Sequence, residues 1–263
     1  MPRSSKPKPK TEIVSLTLDN VLGERMFCGR SKKYLEMYEA KRAWFKDRFA
    51  EGMRYKLFQV DGRNVGFIEY IPGEFVWRGV SAKDYLFIHC FWVLGQSKGK
   101  GYGTRLLQDC ADDAKHNGFA GVAVATSYEH WLPNRKIFLK QGFEQADTAP
   151  PAFELWVKRF DTQSPLPTFN RPSPKAKKMA RGLTIYTSDQ CPYIAITVQL
   201  LTQTAEKLNL PVTLVPIRNC KDAQRSPCVY GVTGVYLDGE LVSYHPIGGK
   251  QLIEFMEKRD KKT

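Results

Sequence analysis

The chain has 263 residues, 42% of them hydrophobic, and its 40 Lys and Arg against 27 Asp and Glu give a formal charge of +13. That length exceeds what one ordinary domain needs, and the apolar content can fill real cores, so two domains are expected. No stretch approaches the roughly 20 apolar residues that cross a bilayer, and the opening MPRSSKPKPK lacks the apolar centre of a secretory signal; the expectation is a cytoplasmic protein with no membrane partner.

Residues 1–10 read as a basic, flexible tail. Arg3, Lys6, Lys8 and Lys10, together with the later run RPSPKAKKMAR, hold much of the positive excess, so direct nucleic-acid recognition is not expected. Six cysteines (Cys28, Cys90, Cys110, Cys191, Cys220, Cys228) are scattered without paired metal-ligand spacing, which predicts neither structural disulfides nor a metal site.

Residues 11–160 alternate strands and helices around a mixed sheet. TEIVSLTLDN reads as a strand, and SKKYLEMYEAKRAWFKDRFAEG as an amphipathic helix with Tyr34, Leu35, Tyr38, Trp44, Phe45 and Phe49 near helical spacing. A hairpin follows, RYKLFQV and NVGFIEYIP joined at an Asp-Gly turn. The apolar run 85–94 is a buried strand, then come a glycine-rich loop, a helix, the strand GVAVATS, the short helix PNRKIFLKQGF and a last strand AFELWVKRF. Residues 161–181, DTQSPLPTFNRPSPKAKKMAR, with four prolines and a basic run, read as a semi-extended linker. Residues 182–263 then give βαβ followed by ββα, a second and smaller α/β domain.

Between the buried strand and its helix stands GQSKGKGYG. A strand that ends in glycines and turns at once into a helix leaves the N–H groups of the first helical turn unpaired, an anion site reinforced by the helix dipole. Lys98, Lys100 and Arg105 add positive charge there. The nucleotide-triphosphate loop does not fit, because the glycine gap is too short and Gly101 stands where a hydroxyl belongs. The dinucleotide pattern fails as well, since Gly99, Gly101 and Gly103 are spaced by two throughout. Gln-x-x-Gly-x-Gly does fit, as Gln96, Gly99 and Gly101.

That pattern resembles the pyrophosphate-binding motif of the GNAT family of N-acetyltransferases, and IFLKQGF resembles the family's Leu-Tyr-x-Lys-x-Gly-Phe signature through Ile137, Phe138, Lys140, Gly142 and Phe143. The resemblance covers about residues 11–160. It implies a mixed-sheet acyl-CoA fold and transfer of an acetyl group from acetyl-CoA to an amine, on a small molecule or a peptide, by direct attack. It further implies that the loop residues Gln96, Ser97, Lys98, Gly99, Lys100, Gly101, Tyr102, Gly103 and Thr104 grip the cofactor. Val93 and Leu94 would hold the pantetheine arm, with Phe138 and Lys140 beside it. Many relatives carry a tyrosine acid where this chain has Phe138, which has no proton to give. The alternative expectation is therefore a non-catalytic acyl-CoA-binding or protein-interaction protein.

For the general base, His89 is the first candidate: strict alternation puts it on one face of its strand with Phe87, Phe91 and Val93. Glu69 on the preceding strand is the second. The plain readings beside these are a core histidine and an exposed hairpin carboxylate. Trp77, Trp92, Tyr128 and Trp131 would line an acceptor pocket or fill a core, and Asp84 and Glu129 would draw a cation or merely face water.

In the second half, YTSDQCPYI resembles the active-site stretch of thioredoxin and glutaredoxin folds, with Cys191 at the head of a helix whose dipole would lower its thiol pKa. Ile194 replaces the second cysteine, so a dithiol mechanism through the motif itself is excluded. Cys191 acting with Cys228, and a redox-silent recognition domain, both stay open, with Pro227 read as the cis-proline facing the site. A GNAT domain followed by such a module resembles the YoaP-like acetyltransferases.

Overall fold

The computed structural model describes residues 8–21, 28, 34–129, 131–171, 179 and 181–261. Arg3 and Lys6 of the basic tail and residues 172–178 of the linker lie outside them.

The first unit is built on seven strands. β1 (Thr11–Ser15) pairs antiparallel with β2 (Arg54–Val60), which turns through Asp61 and Gly62 into β3 (Arg63–Pro72). Both turn residues have positive φ, 48° and 72°, the backbone an Asp-Gly hairpin turn needs. Between β1 and β2 runs α1 (Leu35–Phe49). β4 (Val80–Ser81) precedes β5 (Tyr85–Val93); α2 (Tyr102–His116), β6 (Gly121–Ser127), α3 (Arg135–Lys140), β7 (Glu144–Ala149) and β8 (Phe153–Arg159) follow. The sheet order is β1-β2-β3-β5-β6-β8-β7, and β5 with β6 is its one parallel pair. β7 was not predicted: EQADTA has no apolar alternation, and pairing with β8 alone makes it a strand.

Two cores sandwich the sheet. On one face α2 packs Leu106, Leu107, Cys110, Ala111 and Ala114, spaced three and four apart, against Ile68, Tyr70, Ile88 and Val124. On the other, α1 packs Tyr38, Trp44 and Phe45 against Tyr55, Phe67 and Phe87.

The linker is stitched down before it leaves the first unit. β9 (Thr168–Phe169) pairs with β4, and the Asn170 side chain reaches both Ser81 Oγ (2.7 Å) and the Gln224 carbonyl (3.0 Å).

The second unit contains β10 (Leu183–Thr187), α4 (Pro192–Lys207), β11 (Val212–Pro216), the short α5 (Cys220–Gln224), β12 (Gly234–Leu237), β13 (Glu240–Ser243) and α6 (Gly249–Asp260). Its sheet order is β11-β10-β12-β13, with β10 and β11 parallel and the other pairs antiparallel. α5 was not predicted; the Asn219 side chain caps it, accepting from Asp222 N–H at 3.0 Å. Pro227 is not the cis-proline expected from sequence: among the described residues the cis bond is Pro150–Pro151, and Val232 and Thr233, not Pro227, lead into β12.

Two units divided in sequence share one core. Ile194, Val229, Tyr230 and Tyr244 belong to the same apolar cluster as Trp44, Trp77 and Phe87. The backbones touch: Gly79 N–H donates to Val229 O at 2.9 Å, and a Cβ on Gly231 would stand 2.6 Å from Arg78 Cα. Only a residue without a side chain fits there, and its φ of 81° points to the same choice.

Candidate functional site

The glycine loop and the strands beside it form the first part of the site. Gly95–Ser97 make one 3-10 turn, in which Gln96 is exposed and Ser97 buried, its N–H donating to Leu94 O at 2.8 Å. Gly99 and Gly101 both have φ of 79°, and a Cβ on either would meet nothing within 4 Å. Glycine is required there by the backbone angle, and the space in front of it is open. α2 begins with no side-chain cap and no acidic residue in its first turn. Its first 5→1 bond runs from Arg105 N–H to Gly101 O (3.1 Å), so Tyr102, Gly103 and Thr104 present the free N–H end of the helix. Gly103 has a different duty: a Cβ would come within 3.0 Å of Phe91 Cζ and Ile137 Cδ1. Lys98 stands 5.0 Å over the Trp92 ring, Lys100 is exposed, and the Arg105 guanidinium lies over Phe58 while donating to Thr11 Oγ1 (2.8 Å).

β5 and β6 pair only from Tyr85 to Ile88, against Gly121 to Val124. Beyond that point they part, while β5 stays paired with β3 as far as Val93. The β6-facing backbone of the last part of β5 therefore has no β6 residue opposite it in the ladder. Leu94 continues the strand's direction, donating to Val65 O at 2.9 Å. Phe138 is fully buried between Phe91 and Phe143, and Lys140 is exposed at the end of α3.

The second part is a cavity of about 470 Å³ between the two units. Lys41, Glu69, Arg78 and His89 line it from the first unit, and Gln190, Cys191, Tyr193 and Tyr230 from the second. His89 reaches it through an irregularity. The β3–β5 ladder slips beside Glu69, which pairs with Cys90 while Tyr70 pairs with Ile88, leaving His89 as an extra residue. The bulge breaks the alternation expected from sequence: Phe87 faces the α1 core, but Phe91 faces α2.

Glu69 is 1% exposed and stands at the centre of a polar network. Lys41 Nζ donates to Oε2 at 2.5 Å and Gln190 Nε2 to Oε1 at 2.8 Å, while His89 Nδ1 lies 3.5 Å from Oε1. Burial pushes this carboxyl up, but the Lys41 charge and the His89 contact outweigh it and hold the pKa down at about 2. His89 Nε2 accepts the Trp77 N–H at 2.9 Å, which assigns its proton to Nδ1. Burial drives the His89 pKa down to about 4, with the Arg78 charge acting in the same direction against the pull of Glu69. The imidazole is neutral at pH 7, and its one lone pair is taken by a backbone amide. Cys191 is also not as expected: Tyr193 and Ile194 N–H groups do approach it, but burial outweighs them and raises the thiol pKa. Burial raises the Cys228 thiol as well, to about 12.

Of the four aromatic candidates, Trp92 and Trp131 line the cavity. Trp77 is core, edge-on to Trp44 at 5.0 Å, and Tyr128 is 69% exposed. Asp84 is exposed and outside the cavity, and Glu129 accepts from Tyr244 OH at 2.8 Å.

The sequence profile of the acetyltransferase (GNAT) family matches residues 19–143. Those residues are a GNAT acetyltransferase domain. An uncharacterized N-acetyltransferase, YoaP of Bacillus subtilis (strain 168), is 28% identical over 88% of this chain and 92% of its own length, so the likeness extends through both units. Among solved structures, the chain is similar to the PaiA N-acetyltransferase of Thermoplasma acidophilum in complex with coenzyme A (16% identity, TM-score 0.41, 57% of this chain and 99% of that one). It is also similar to YhbS of Escherichia coli in complex with CoA (15% identity, TM-score 0.41, 64% and 93%).

Two residues of the network around Glu69 were not singled out from the sequence. Lys41 left a trace, a lysine on the buried face of α1 at helical spacing from Tyr38, Trp44 and Phe45. Gln190 left none. Among the described residues no helix is long and apolar enough to cross a membrane.

Proposed function

We propose that the chain transfers an acetyl group from acetyl-CoA to an amine. The observation that carries this is the open, uncapped end of α2 behind Gly99 and Gly101, set beside the parted ends of β5 and β6. In this reading the pyrophosphate lies on the N–H groups from Gly99 to Thr104, with Lys98 and Lys100 supplying charge and Gln96 and Ser97 shaping the turn. The pantetheine arm follows the backbone of Val93 and Leu94 past Phe138, with Lys140 at the rim. The domain spans residues 11–160 and the second unit residues 182–263. We read the latter as thioredoxin-like, on its βαβ and ββα order and on Cys191 at the N-cap of α4.

The amine attacks the thioester carbonyl, a C–N bond forms, the C–S bond breaks, and the nitrogen's proton passes to water or to the departing sulfur. Glu69 is ionised and faces the cavity, where its charge stabilises the positive nitrogen before the proton leaves. A carboxyl held near pKa 2 retains a proton poorly, so its role is electrostatic rather than that of a proton store. His89 acts as a positioning residue that steadies Glu69, not as the base. Phe138 offers no acid, and a coenzyme A thiolate leaves without one near neutral pH.

Titration of CoA into the full chain by calorimetry, followed by thioester loss over a panel of amines, tests this. We expect binding heat and turnover, with Gly101→Val raising the CoA Kd by about tenfold or more, since valine is strained at that φ and stands where the anion would lie. Absence of heat in the unaltered chain sinks the reading; heat without turnover on any amine leaves a binding protein.

A further inference from the structure

The cavity between the two units contains a polar atom with nothing to do. Gln190 is 4% exposed, its Nε2 is spent on Glu69 Oε1, and among the described residues its Oε1 has no hydrogen-bond partner. Gln190 lines the cavity, and its amide nitrogen, not its oxygen, is the atom spent on Glu69. A buried acceptor without a donor costs stability unless something that enters the cavity supplies one. The other charges there are already engaged. Lys41 neutralises Glu69, and Arg78 donates to the Trp77 and His89 carbonyls (2.7 and 2.8 Å) above the Tyr230 ring. What Gln190 Oε1 lacks among the described residues is a donor.

The remaining wall is apolar and aromatic, and the second unit arranges it. Trp131 has φ of 97°, a region bulky residues avoid. It is held there by groups of the second unit: its Nε1 donates to Tyr230 OH (3.3 Å), Tyr193 meets it edge-on at 5.9 Å, and His245 stacks at 6.3 Å. Phe67, Phe91 and Trp92 complete the wall from the sheet. A space of about 470 Å³ is of the size that encloses a small molecule rather than a protein segment.

We propose that the acceptor is a compact primary amine with an aromatic or apolar body, and that the second unit selects it: Gln190 Oε1 accepts one N–H of the amine beside Glu69, while Trp131 and Tyr193 clasp the body. This rests on the acetyl-transfer reading above and assigns the second unit a place in the acceptor site. A resting nitrogen between the Gln190 carbonyl and the Glu69 carboxylate uses two of its hydrogens and leaves its lone pair free for the thioester.

The test uses the full chain with acetyl-CoA and four probes: phenethylamine, tryptamine, ethylamine and a short lysine-containing peptide, read by thioester loss. We expect kcat/KM for the two aryl amines to exceed that for ethylamine and the peptide by about tenfold or more. Gln190→Leu should raise the KM for phenethylamine about tenfold while leaving the KM for acetyl-CoA within about twofold. Should Gln190→Leu fail to fold, Trp131→Ala is read on the same panel, and it should erase the preference for aryl amines without changing CoA binding. A preference for the peptide, equal rates on all four probes, or Gln190→Leu and Trp131→Ala leaving amine KM unchanged overturns the proposal while acetyl transfer stands. CoA binding with no amine turned over removes both.

Discussion

Two helices in this chain start directly after a strand and a short loop, and from sequence both promise chemistry at their N-terminal ends. The start of α2 is open: Gly99 and Gly101 have positive φ, the helix has no side-chain cap, and no described atom stands where a side chain on either glycine would be. At the start of α4 the same dipole meets Cys191, half-buried in the wall of the cavity, and desolvation raises the thiol pKa that the dipole alone would lower. A helix end acts on an anion or a thiolate only as far as the surrounding medium lets charge exist there. The open end suits a ligand that brings its own charge; the closed end suits a neutral wall.

The sharpest way to break this contrast is to disturb the charges that face α4. Lys41 and Glu69 are 7% and 1% exposed at the side chain, so the pair is fully withdrawn from water. Lys41→Met strands a buried carboxylate, and we expect a loss of about 3–5 kcal/mol in denaturant titrations. The double variant Lys41→Met, Glu69→Gln should recover part of it, because no uncompensated charge remains. CoA heat at the α2 end should be unaffected wherever the variant is folded. A Lys41→Met protein as stable as the parent would mean that the network is not what holds the cavity.

The next test is smaller and depends on pH. The folded pKa of His89, about 4, lies below its unfolded value of 6.5, so the unfolded chain binds the proton first as pH falls. The stability His89 contributes is full above pH 6.5 and is lost progressively down to pH 4, by about 3 kcal/mol. Glu69 is depressed from 4.5 to about 2, so its own contribution holds above 4.5 and fades only below it, outside most of that window. His89→Gln should therefore flatten the fall in stability between pH 6.5 and 4.5 relative to the parent. Parallel curves would show that the imidazole is not buried neutral.

The same contrast explains what could be read before the fold was known. The proposed cofactor end is written in nine consecutive residues, because the chemistry proposed for it is backbone N–H and its geometry is glycine φ; spacing alone carries it. Long periodic elements such as α2, α4 and β8 were legible for a similar reason. The cavity is not written anywhere in one place. Lys41, Glu69, His89 and Gln190 come from α1, β3, β5 and the loop before α4, and a one-residue bulge sets which way His89 points. Strict alternation assigns that face wrongly, since a bulge has no signature in apolar patterning. The linker composition reads as a proline-rich boundary, yet Phe169 and Asn170 tie it to the first unit and Val229 and Tyr230 join the first unit's core. Composition reports how a segment is hydrated, not what folds back on it.

The smallest effect concerns Cys191 itself, and it decides whether the α4 end is reactive. A thiol at a helix start with a lowered pKa would alkylate readily at pH 7, faster than an ordinary cysteine. Here burial comes first among the influences on it and raises the pKa from 9.0, with the N–H groups of Tyr193 and Ile194 opposing but not prevailing. Iodoacetamide should therefore label Cys191 more slowly than a free cysteine at pH 7, by about threefold or more, with the rate still climbing above pH 9, as read peptide by peptide in mass spectrometry. The contrast with α2 would collapse if labelling reached a plateau below pH 8, because the thiolate would then be the resting form. In that case the cavity would hold a charge that the aromatic wall and the Lys41–Glu69 pair leave no room for.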